Sequence, residues 1–472
     1  KSDLFKNVNV AGNGFINFNL NPVHLNEKLK YINKLKNDYG KSSIGENKKV
    51  LVEFVSANPT GPLTVGHGRG AIVGDIVSNI FHWNGYKVER EYYYNNAGRQ
   101  MRILGDSVKA RYFELIKTKY PFPEDGYQGE YIKDIANAIL ESKGDGITIE
   151  ENDLFLEIAE KYIFSDINKT LDKIGIKFDS FFNENTLYKN KDIYKVIDRL
   201  RDKGLVYDKD EAVWFHGTKV GRDNDRVLIK KTGEPTYRLP DMAYHINKIE
   251  RAYDLCIDIF GADHMDAYPD VIEVVKQLGY DQSKIKVLIH QFISILKNGK
   301  QIKMSTRKAT FITLDELINE VGIDVVRYFF IMRNINSHLN FDLEVAKEKS
   351  EKNPIYYIQY AYARIMTIQT FVDYSYSNAD LALLDSEEEI KIISKLFEFE
   401  ELIIKLSEVL EPQLLATYLF ELATMFHKYY AKFRIINKNK ELSKSRLVLI
   451  DAISTVIKNG LNILGISSPK SM

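Results

Sequence analysis

The chain has 472 residues, with 65 lysines and arginines against 65 aspartates and glutamates, so its formal net charge is zero. This length exceeds one hydrophobic core and predicts two or three domains, while 44% apolar and 28% charged residues are ordinary for a globular protein. No apolar run reaches the length of a membrane span, which argues against a membrane partner. One cysteine, Cys256, excludes a disulfide within the chain and is typical of a reducing cytoplasm. With one cysteine and scattered histidines, no metal site built from protein ligands is predicted.

The predicted elements divide the chain into three regions. Residues 1–22 are strand-like, and residues 23–49 predict a polar helical linker. Residues 50–345 alternate apolar strands with amphipathic helices, the pattern of an α/β domain, and a mostly helical stretch at about 95–189 is predicted to be an insertion. In this region we predict strands at 50–55, 87–93, 254–260 and 286–293, and helices at 66–84 and 266–278. Residues 346–472 predict an all-helical domain with helices at 355–374, 387–410 and 414–433.

The turn between the first predicted strand and its helix carries the strongest chemical pattern. Prolines and glycines over 59–62 prevent regular structure, and a helix begins near Val65. A glycine-rich turn at a helix N-terminus has free N–H groups and a positive dipole end, so it predicts an anion site that includes His67. The segment fits neither a Walker A loop nor the G-x-G-x-x-G fingerprint. Tight helix packing is an equally good reason for its three glycines, Gly66, Gly68 and Gly70.

The sequence from Ser56 to Ala71 resembles the signature turn of bacterial arginyl-tRNA synthetases, which holds the HIGH motif of class I aminoacyl-tRNA synthetases. The resemblance implies that Gly66, His67 and Gly70 bind ATP and that His67 is catalytic. Thr64 stands in place of the motif's first histidine, as in nucleotidyltransferases with a T-x-G-H motif. A small-substrate nucleotidyltransferase is therefore one alternative, and a tRNA-binding relative without catalysis is another.

A basic loop at 303–308, Lys303-Met-Ser-Thr-Arg-Lys, follows the last predicted strand of the α/β region. Such a loop can close on a triphosphate and neutralise charge as pyrophosphate leaves, although most basic loops are only solvated surface. It resembles the KMSKS loop of class I synthetases in its arginine-enzyme form. The resemblance implies that Lys303 is catalytic and that Met304 and Ser305 also contact ATP. Thr306 stands where the loop usually has its second lysine, so a neighbouring basic residue would assist.

A third candidate element, Phe260-Gly-Ala-Asp-His264, follows a predicted strand and precedes a helix. Ligands of open parallel sheets lie beyond the carboxyl ends of the strands. Gly261 would therefore let a ribose approach, and Asp263 would bind its hydroxyls. The alternative for Asp263 is the N-cap of a helix that begins near Met265, which its position alone favours.

Carboxylates at strand ends offer a site for a guanidinium, which is planar, permanently charged and best bound in a fork geometry. Glu53 ends the first predicted strand, and Asp241 follows Tyr237 by four residues. The family resemblance is close at both places and implies that Glu53 and Asp241 hold the guanidinium of arginine while Tyr237 packs on it. It also implies that the arginine α-amino and carboxylate end is held by Ser56 and Asn58, with His264 nearby. The alternatives are an edge-strand position for Glu53 and a helix-capping role for Asp241.

The C-terminal region carries features that suit RNA. Residues 353–364 resemble the opening helix of the family's anticodon-binding bundle, and residues 464–472 resemble its usual C-terminus. Residues 427–434 interleave basic and aromatic side chains. In proteins that bind single-stranded RNA, aromatic side chains stack on the bases and basic side chains neutralise the phosphates. Helical spacing places several of these aromatics in the core. Residues 8–19 resemble the end of the family's additional N-terminal domain, which contacts the tRNA elbow.

The resemblance covers nearly the whole chain and implies a complete fold and reaction. The fold would be a class I Rossmann-type parallel-sheet catalytic domain with a helical insertion, followed by an all-α anticodon-binding bundle at 346–472. The reaction would be ATP-dependent activation of L-arginine, with Mg²⁺ on the triphosphate, and transfer of the arginyl group to tRNA(Arg). We expect a monomeric, cytoplasmic enzyme.

Overall fold

The computed structural model describes residues 5–12, 14–302 and 312–472. The predicted ATP-contacting residues of the basic loop, Lys303, Met304 and Ser305, lie outside the described residues. The strands in chain order are β1 (Phe5–Ala11), β2 (Phe15–Leu20), β3 (Lys49–Glu53), β4 (Lys87–Tyr94), β5 (Ser180–Asn183), β6 (Val206–Lys209), β7 (Ala212–Phe215), β8 (Arg226–Ile229), β9 (Leu255–Gly261), β10 (Ile285–His290), β11 (Ile293–Lys297), β12 (Lys300–Gln301) and β13 (Leu339–Asp342).

The five helices that were predicted, at 66–84, 266–278, 355–374, 387–410 and 414–433, are found with bounds that differ by at most four residues. In chain order the helices are α1 (Pro22–Leu35), α2 (Val65–Trp83), α3 (Gly98–Leu115), α4 (Glu130–Lys143), α5 (Asn152–Lys173), α6 (Asn185–Lys189), α7 (Asp192–Asp202), α8 (Arg238–Glu250), α9 (Tyr268–Gln277), α10 (Leu314–Val321), α11 (Ile323–Ile331), α12 (Leu343–Lys347), α13 (Pro354–Thr370), α14 (Glu387–Val409), α15 (Gln413–Lys432) and α16 (Lys440–Ile463). Among the described residues, every helix is too short or too polar to cross a bilayer.

A five-stranded parallel sheet in the order β10-β9-β3-β4-β5 forms the centre of the α/β region. Strand β3 is the middle strand, and Val50, Leu51 and Val52 are fully buried because helices cover both faces of the sheet. The chain leaves β3 toward β4 on one side and later returns to β9 on the other. This reversal of direction opens a crevice at the carboxyl end of β3, where ligands of such sheets bind. The alternative of an edge-strand position for Glu53 is therefore wrong.

Two predicted segments divide differently in the structure, for identifiable reasons. The stretch at about 95–189 is mostly helical as predicted, yet Ser180–Asn183 near its end form β5, which pairs with β4 at the edge of the sheet. Four residues are too few to show a strand period. The predicted strand at 286–293 is two strands, because the chain leaves the parallel sheet after His290 and β11 pairs with β13 in another sheet.

The C-terminal region is a bundle of helices α13 to α16, as predicted, and α2 packs against it from the sheet side. Helix α1 packs on α14 and α16 through Leu25, Leu29 and Ile32, which are buried. The buried Arg327 of α11 joins several parts of the fold. Its guanidinium contacts Asp75 of α2 and donates to the carbonyls of Leu464 (2.8 Å) and Ile174 (2.9 Å).

Candidate functional site

The turn after β3 is sharp and is tied to the neighbouring strand. Val55 and Ser56 both have positive φ angles, 67° and 42°, which residues other than glycine rarely adopt and which end the strand two residues earlier than predicted. The Ser56 hydroxyl donates to Glu53 Oε1 (2.9 Å) and accepts the backbone N–H of Tyr93 (3.2 Å). Asn58 Oδ1 accepts the backbone N–H of Asn95 (3.2 Å). These bonds place Glu53, Ser56 and Asn58 together at the carboxyl end of the sheet.

The first turn of α2 fixes the imidazole of His67. Thr64 precedes the helix in an extended conformation, and its backbone N–H donates to His67 Nδ1 (3.1 Å). Since Nδ1 accepts this hydrogen bond, the neutral ring carries its proton on Nε2. Burial lowers the pKa of His67, and the opposing effect of Asp263 is smaller, so the ring stays neutral near pH 7. The remaining N–H can donate to a phosphate oxygen.

One cavity of about 730 Å³ lies at the carboxyl end of the sheet, within the range that holds small ligands. It is lined by every predicted site residue that the structure describes: Glu53, Ser56, Asn58, Gly66, His67, Gly70, Tyr237, Asp241, Gly261, Asp263 and His264. The turn after β3 forms one side of the cavity, the start of α2 a second, and the end of β9 with the start of α8 a third, while the ends of β4, β5 and β10 complete the lining.

The three glycines of α2 have different surroundings. A Cβ at Gly68 would lie 2.7 Å from Leu314 and 3.0 Å from Phe330, so Gly68 serves helix packing. A Cβ at Gly70 would lie 2.9 Å from Nε2 of His290, a cavity residue, whereas at Gly66 it would meet only Thr64 at 3.6 Å. Packing alone therefore accounts for Gly68, and the space at Gly66 is free for a ligand.

At the end of β9, residues Ala262–His264 form a single 3-10 turn, and α9 begins only at Tyr268. The alternative role of Asp263 as the N-cap of that helix is therefore wrong, because Ala267 occupies the capping position. The Asp263 side chain is 72% exposed, and the His264 ring stacks on Phe260 with 5.0 Å between centroids. Both side chains remain available to a ligand at the rim of the cavity.

The acidic side of the cavity combines Asp241 in the first turn of α8 with Glu53 at the end of β3. Asp241 is the fourth residue of the helix, so a capping role is wrong here too. Burial raises the pKa of Asp241 to about 6, and His245 and His264 oppose the shift. The Tyr237 ring is 60% exposed and stands one residue before α8, where it can stack on a planar cation. Glu53 is only 2% exposed.

Several cavity residues carry no pattern that sequence reasoning could detect. Glu184, directly after the short β5, accepts hydrogen bonds from the Tyr93 hydroxyl (2.7 Å) and Asn95 Nδ2 (2.8 Å), and burial raises its pKa. His290 ends β10, and burial together with the Arg69 charge lowers its pKa to about 4. The other lining residues of this kind include Tyr244, His245, Gln291 and Phe292. Their one shared signal is a position at or after the end of a sheet strand, or on the helix that precedes β9.

A second cavity, of about 740 Å³, lies in the helical region between α13, the end of α15 and the last residues of the chain. The Arg364 guanidinium lies over the rings of Tyr360 (4.7 Å) and Tyr430 (4.9 Å). Of the basic and aromatic segment 427–434, Tyr430, Phe433 and Arg434 line the cavity, while Tyr429 is buried and donates to Glu389. As predicted, the segment therefore divides between the core and an accessible surface.

Comparisons with known proteins assign two family models to this chain. Residues 29–342 match the family model of the catalytic domain of class I tRNA synthetases (R), and residues 358–472 match that of the DALR anticodon binding domain. An arginine–tRNA ligase of Desulfotalea psychrophila is 49% identical over 98% of this chain and 86% of its own length.

Two solved structures share the fold. That of a candidate arginyl-tRNA synthetase from Campylobacter jejuni is 30% identical and superposes with a TM-score of 0.89 over 96% of this chain and all of that chain. The Thermus thermophilus arginyl-tRNA synthetase, at 19% identity, shows the same fold with a TM-score of 0.80 over all of this chain and 89% of its own.

Proposed function

Since this chain belongs to the arginyl-tRNA synthetase family, and is an arginine–tRNA ligase with a class I catalytic domain that uses ATP, we propose roles for the residues of its two cavities. Family membership takes the place of both alternatives, the small-substrate nucleotidyltransferase suggested by Thr64 and the tRNA-binding relative without catalysis suggested by Thr64 and Thr306. The observation that carries the residue roles is the single cavity that unites every described site residue predicted from the sequence.

The catalytic cavity has an arginine half and a nucleotide half. In the arginine half, Asp241 and Glu53 bind the guanidinium and Tyr237 stacks on it. Ser56 and Asn58 bind the amino and carboxylate end, which turns the carboxylate toward the start of α2, and His264 borders it. In the nucleotide half, Gly66 and Gly70 let the phosphates approach the helix N-terminus, while Gly261 and Asp263 receive the ribose.

In the activation step, a carboxylate oxygen of arginine forms a bond to the α-phosphorus of ATP, and the bond from that phosphorus to the pyrophosphate oxygen breaks. His67 donates its Nε2 proton as a hydrogen bond to a phosphate oxygen, which stabilises the negative charge that develops there. By the family resemblance, Lys303, Met304 and Ser305 contribute from the basic loop. In the second step the terminal ribose hydroxyl of tRNA(Arg) attacks the arginyl carbonyl and AMP leaves.

We propose that Mg²⁺ reaches the cavity on the triphosphate. Sites of this kind hold the ion mainly through phosphate oxygens and water, with one or two protein carboxylates. Beside its contact with the ribose, Asp263 would be the protein carboxylate for such an ion, because its side chain is exposed at the rim of the nucleotide half. When bound, the ion would supply positive charge to the phosphates.

The second cavity is our proposed site for an unstacked anticodon base. Stacking on Tyr360 or Tyr430 needs no particular base, and Arg364 and Arg434 offer charge to the phosphates. We also propose that the protein is a monomer and acts in the cytoplasm.

Arginine-dependent ATP–pyrophosphate exchange, measured with and without tRNA(Arg), tests these assignments. We expect exchange that requires arginine, and the family resemblance implies that it also requires tRNA. Absence of exchange under both conditions, in a folded protein that still binds tRNA, would contradict the catalytic roles.

A further inference from the structure

A buried lysine lies beneath the predicted guanidinium site. Lys248 of α8 is fully buried, and its Nζ contacts Glu53 Oε2 and lies 2.5 Å from Asp258 Oδ1. Burial lowers the pKa of Lys248, but the charges of Asp258 and Glu53 outweigh it and hold the pKa above its ordinary value. Lys248 is therefore a permanent internal cation, and Glu53 already has a positive partner before any ligand binds.

The contacts continue from Asp258 to the second predicted carboxylate. His245 Nε2 lies 3.0 Å from Asp258 Oδ2, and its Nδ1 lies 2.8 Å from the backbone carbonyl of Asp241. A carboxylate and a carbonyl are both acceptors, so the His245 ring lies between two acceptors and links Asp258 to Asp241. Glu53, Lys248, Asp258, His245 and Asp241 thus form one continuous buried chain of contacts.

The charges along this chain decide which group meets the ligand's charge. Lys248 lies between the Glu53 and Asp258 carboxylates, and Asp258 is contacted by His245 as well, so each of these two carboxylates already has a basic partner. Glu184 has no cation beside it among the described residues, but its two oxygens accept hydrogen bonds from Tyr93 and Asn95. Asp241 is the carboxylate beside Glu53 that these contacts leave for a guanidinium to balance.

We propose that Lys248 is a positioning residue for arginine, which holds the Glu53 carboxylate in place as a neutralised hydrogen-bond acceptor, and that Asp241 supplies the charge that selects a guanidinium. Asp258 and His245 complete the support from below. The inference rests on the proposed binding of the guanidinium by Glu53 and Asp241, and it assigns them different tasks.

The test is a double-mutant cycle of Lys248→Met and Glu53→Gln, read as the KM for arginine and for ATP in the exchange assay with saturating tRNA(Arg). We expect Lys248→Met to raise the arginine KM about tenfold or more while the ATP KM changes by less than about twofold. In the Glu53→Gln background the same substitution should add less than about threefold, because Lys248 acts through Glu53. Fully additive effects, or equal increases in both KM values, would show that Lys248 only supports the fold.

Lys109→Met is the matched control, because Lys109 is another buried lysine, whose Nζ donates to Ile149 O and Asn152 Oδ1 away from the cavity. It should leave the arginine KM unchanged. If Lys248→Met does not fold, two other variants test the same contacts. Asp258→Asn keeps Lys248 and Glu53 but weakens the support that Asp258 gives to Lys248. The double variant Lys248→Met with Glu53→Gln removes one positive and one negative charge together. An unchanged arginine KM in folded Asp258→Asn would overturn the proposal.

Citrulline, which has the shape of arginine without its charge, tests the task given to Asp241. The dissociation or inhibition constant of citrulline, divided by that of arginine, measures the preference for the charged ligand. This ratio should fall toward one in Asp241→Asn and stay near its wild-type value in Lys248→Met. Loss of the preference in Lys248→Met would contradict the charge assignment. Exchange by the wild-type protein distinguishes failure of the proposed function from failure of this inference. If wild-type exchange does not depend on arginine, the proposed arginine site is wrong. If it does depend on arginine but Lys248→Met has the wild-type arginine KM, only the role of Lys248 is wrong.

Discussion

The backbone N–H of Thr64 donates to Nδ1 of His67 across 3.1 Å, so the main chain selects the tautomer of the imidazole that we propose to be catalytic. The Thr64 hydroxyl lies 3.2 Å from the same nitrogen and adds a second local contact. The residue that departs from the HIGH pattern therefore leaves the orientation of His67 intact, because any residue other than proline at position 64 provides the N–H.

His67 should tolerate glutamine better than asparagine. The amide nitrogen of glutamine reaches the position of Nε2, the proposed donor, whereas that of asparagine reaches only the position of Nδ1. We expect His67→Asn to lower the kcat of exchange by roughly 10²- to 10³-fold, the usual effect of removing one transition-state donor, and His67→Gln to lower it less. Thr64→Ala is the control, which keeps the backbone donor and should retain most activity. If His67→Asn is more active than His67→Gln, the donor is Nδ1 and the assignment to Nε2 is wrong.

Asp241 should make arginine binding dependent on pH. Burial raises its pKa to about 6, and the neutral acid cannot balance a guanidinium, so the arginine KM should rise as pH falls through 6. The ATP KM serves as the internal control over the same range. A flat arginine KM between pH 5 and pH 7.5, with the fold intact, would contradict this role.

The same carboxylate should cost stability when it is charged. A folded-state pKa above the unfolded value means that the folded protein holds the proton more tightly, so this group's contribution to stability falls as pH rises from about 4 to about 6. Asp241→Asn should therefore raise the free energy of unfolding at pH 7, by on the order of 1 to 3 kcal/mol, while it weakens arginine binding. Urea unfolding of both proteins at pH 7 measures the difference, and a destabilised variant would refute it.

Arg69 should be a stability residue close to the site. Its buried guanidinium donates to four backbone carbonyls, those of Gln291, Phe330, Asn334 and Ser337, at 2.8 to 3.3 Å. Arg69→Met would leave these acceptors without their donor and should lower the free energy of unfolding by about 3 to 5 kcal/mol. Arg69→Lys should restore part of the loss. A loss below about 1 kcal/mol in urea unfolding would mean that other groups satisfy the carbonyls.

Arg364 should affect tRNA and not the small substrates. It lies between Tyr360 and Tyr430 in the second cavity, where we place an anticodon base. We expect Arg364→Ala to raise the KM for tRNA(Arg) about tenfold, since a stacked and charged contact contributes 1 to 3 kcal/mol, with unchanged KM values for arginine and ATP. Lys405→Ala on the exposed surface of α14 is the control for the loss of one positive charge. Equal effects of the two variants would reduce Arg364 to general electrostatics.

The nucleotide side of the site was predictable because its signals are local. An apolar strand, a turn rich in proline and glycine and an amphipathic helix follow one another, and His67 stands in the first helical turn. The two fixed roles of Gly68 and Gly70 were not predictable, because they depend on Leu314 and His290 from distant segments.

Lys248 and Glu184 were beyond sequence reasoning for similar reasons. A lysine in the last turn of a helix looks like an exposed residue that complements the helix dipole, and only the pairing of β3 with β9 places Glu53 and Asp258 around it. Glu184 follows a strand of four residues at the edge of the sheet, where no period is readable. The surroundings of both residues depend on which strands are neighbours in the sheet, and a local sequence pattern does not contain that information.

The contacts of Arg327 have a consequence for how this chain loses its structure. Asp75 belongs to the helix that carries His67, Ile174 follows helix α5 of the insertion, and Leu464 follows the last helix of the bundle. If one of these parts unfolded alone, the buried Arg327 guanidinium would lose one of its acceptors. The sheet, the insertion and the bundle are therefore coupled through this one side chain, and we expect heat to remove the cavity at the sheet and the cavity in the bundle together.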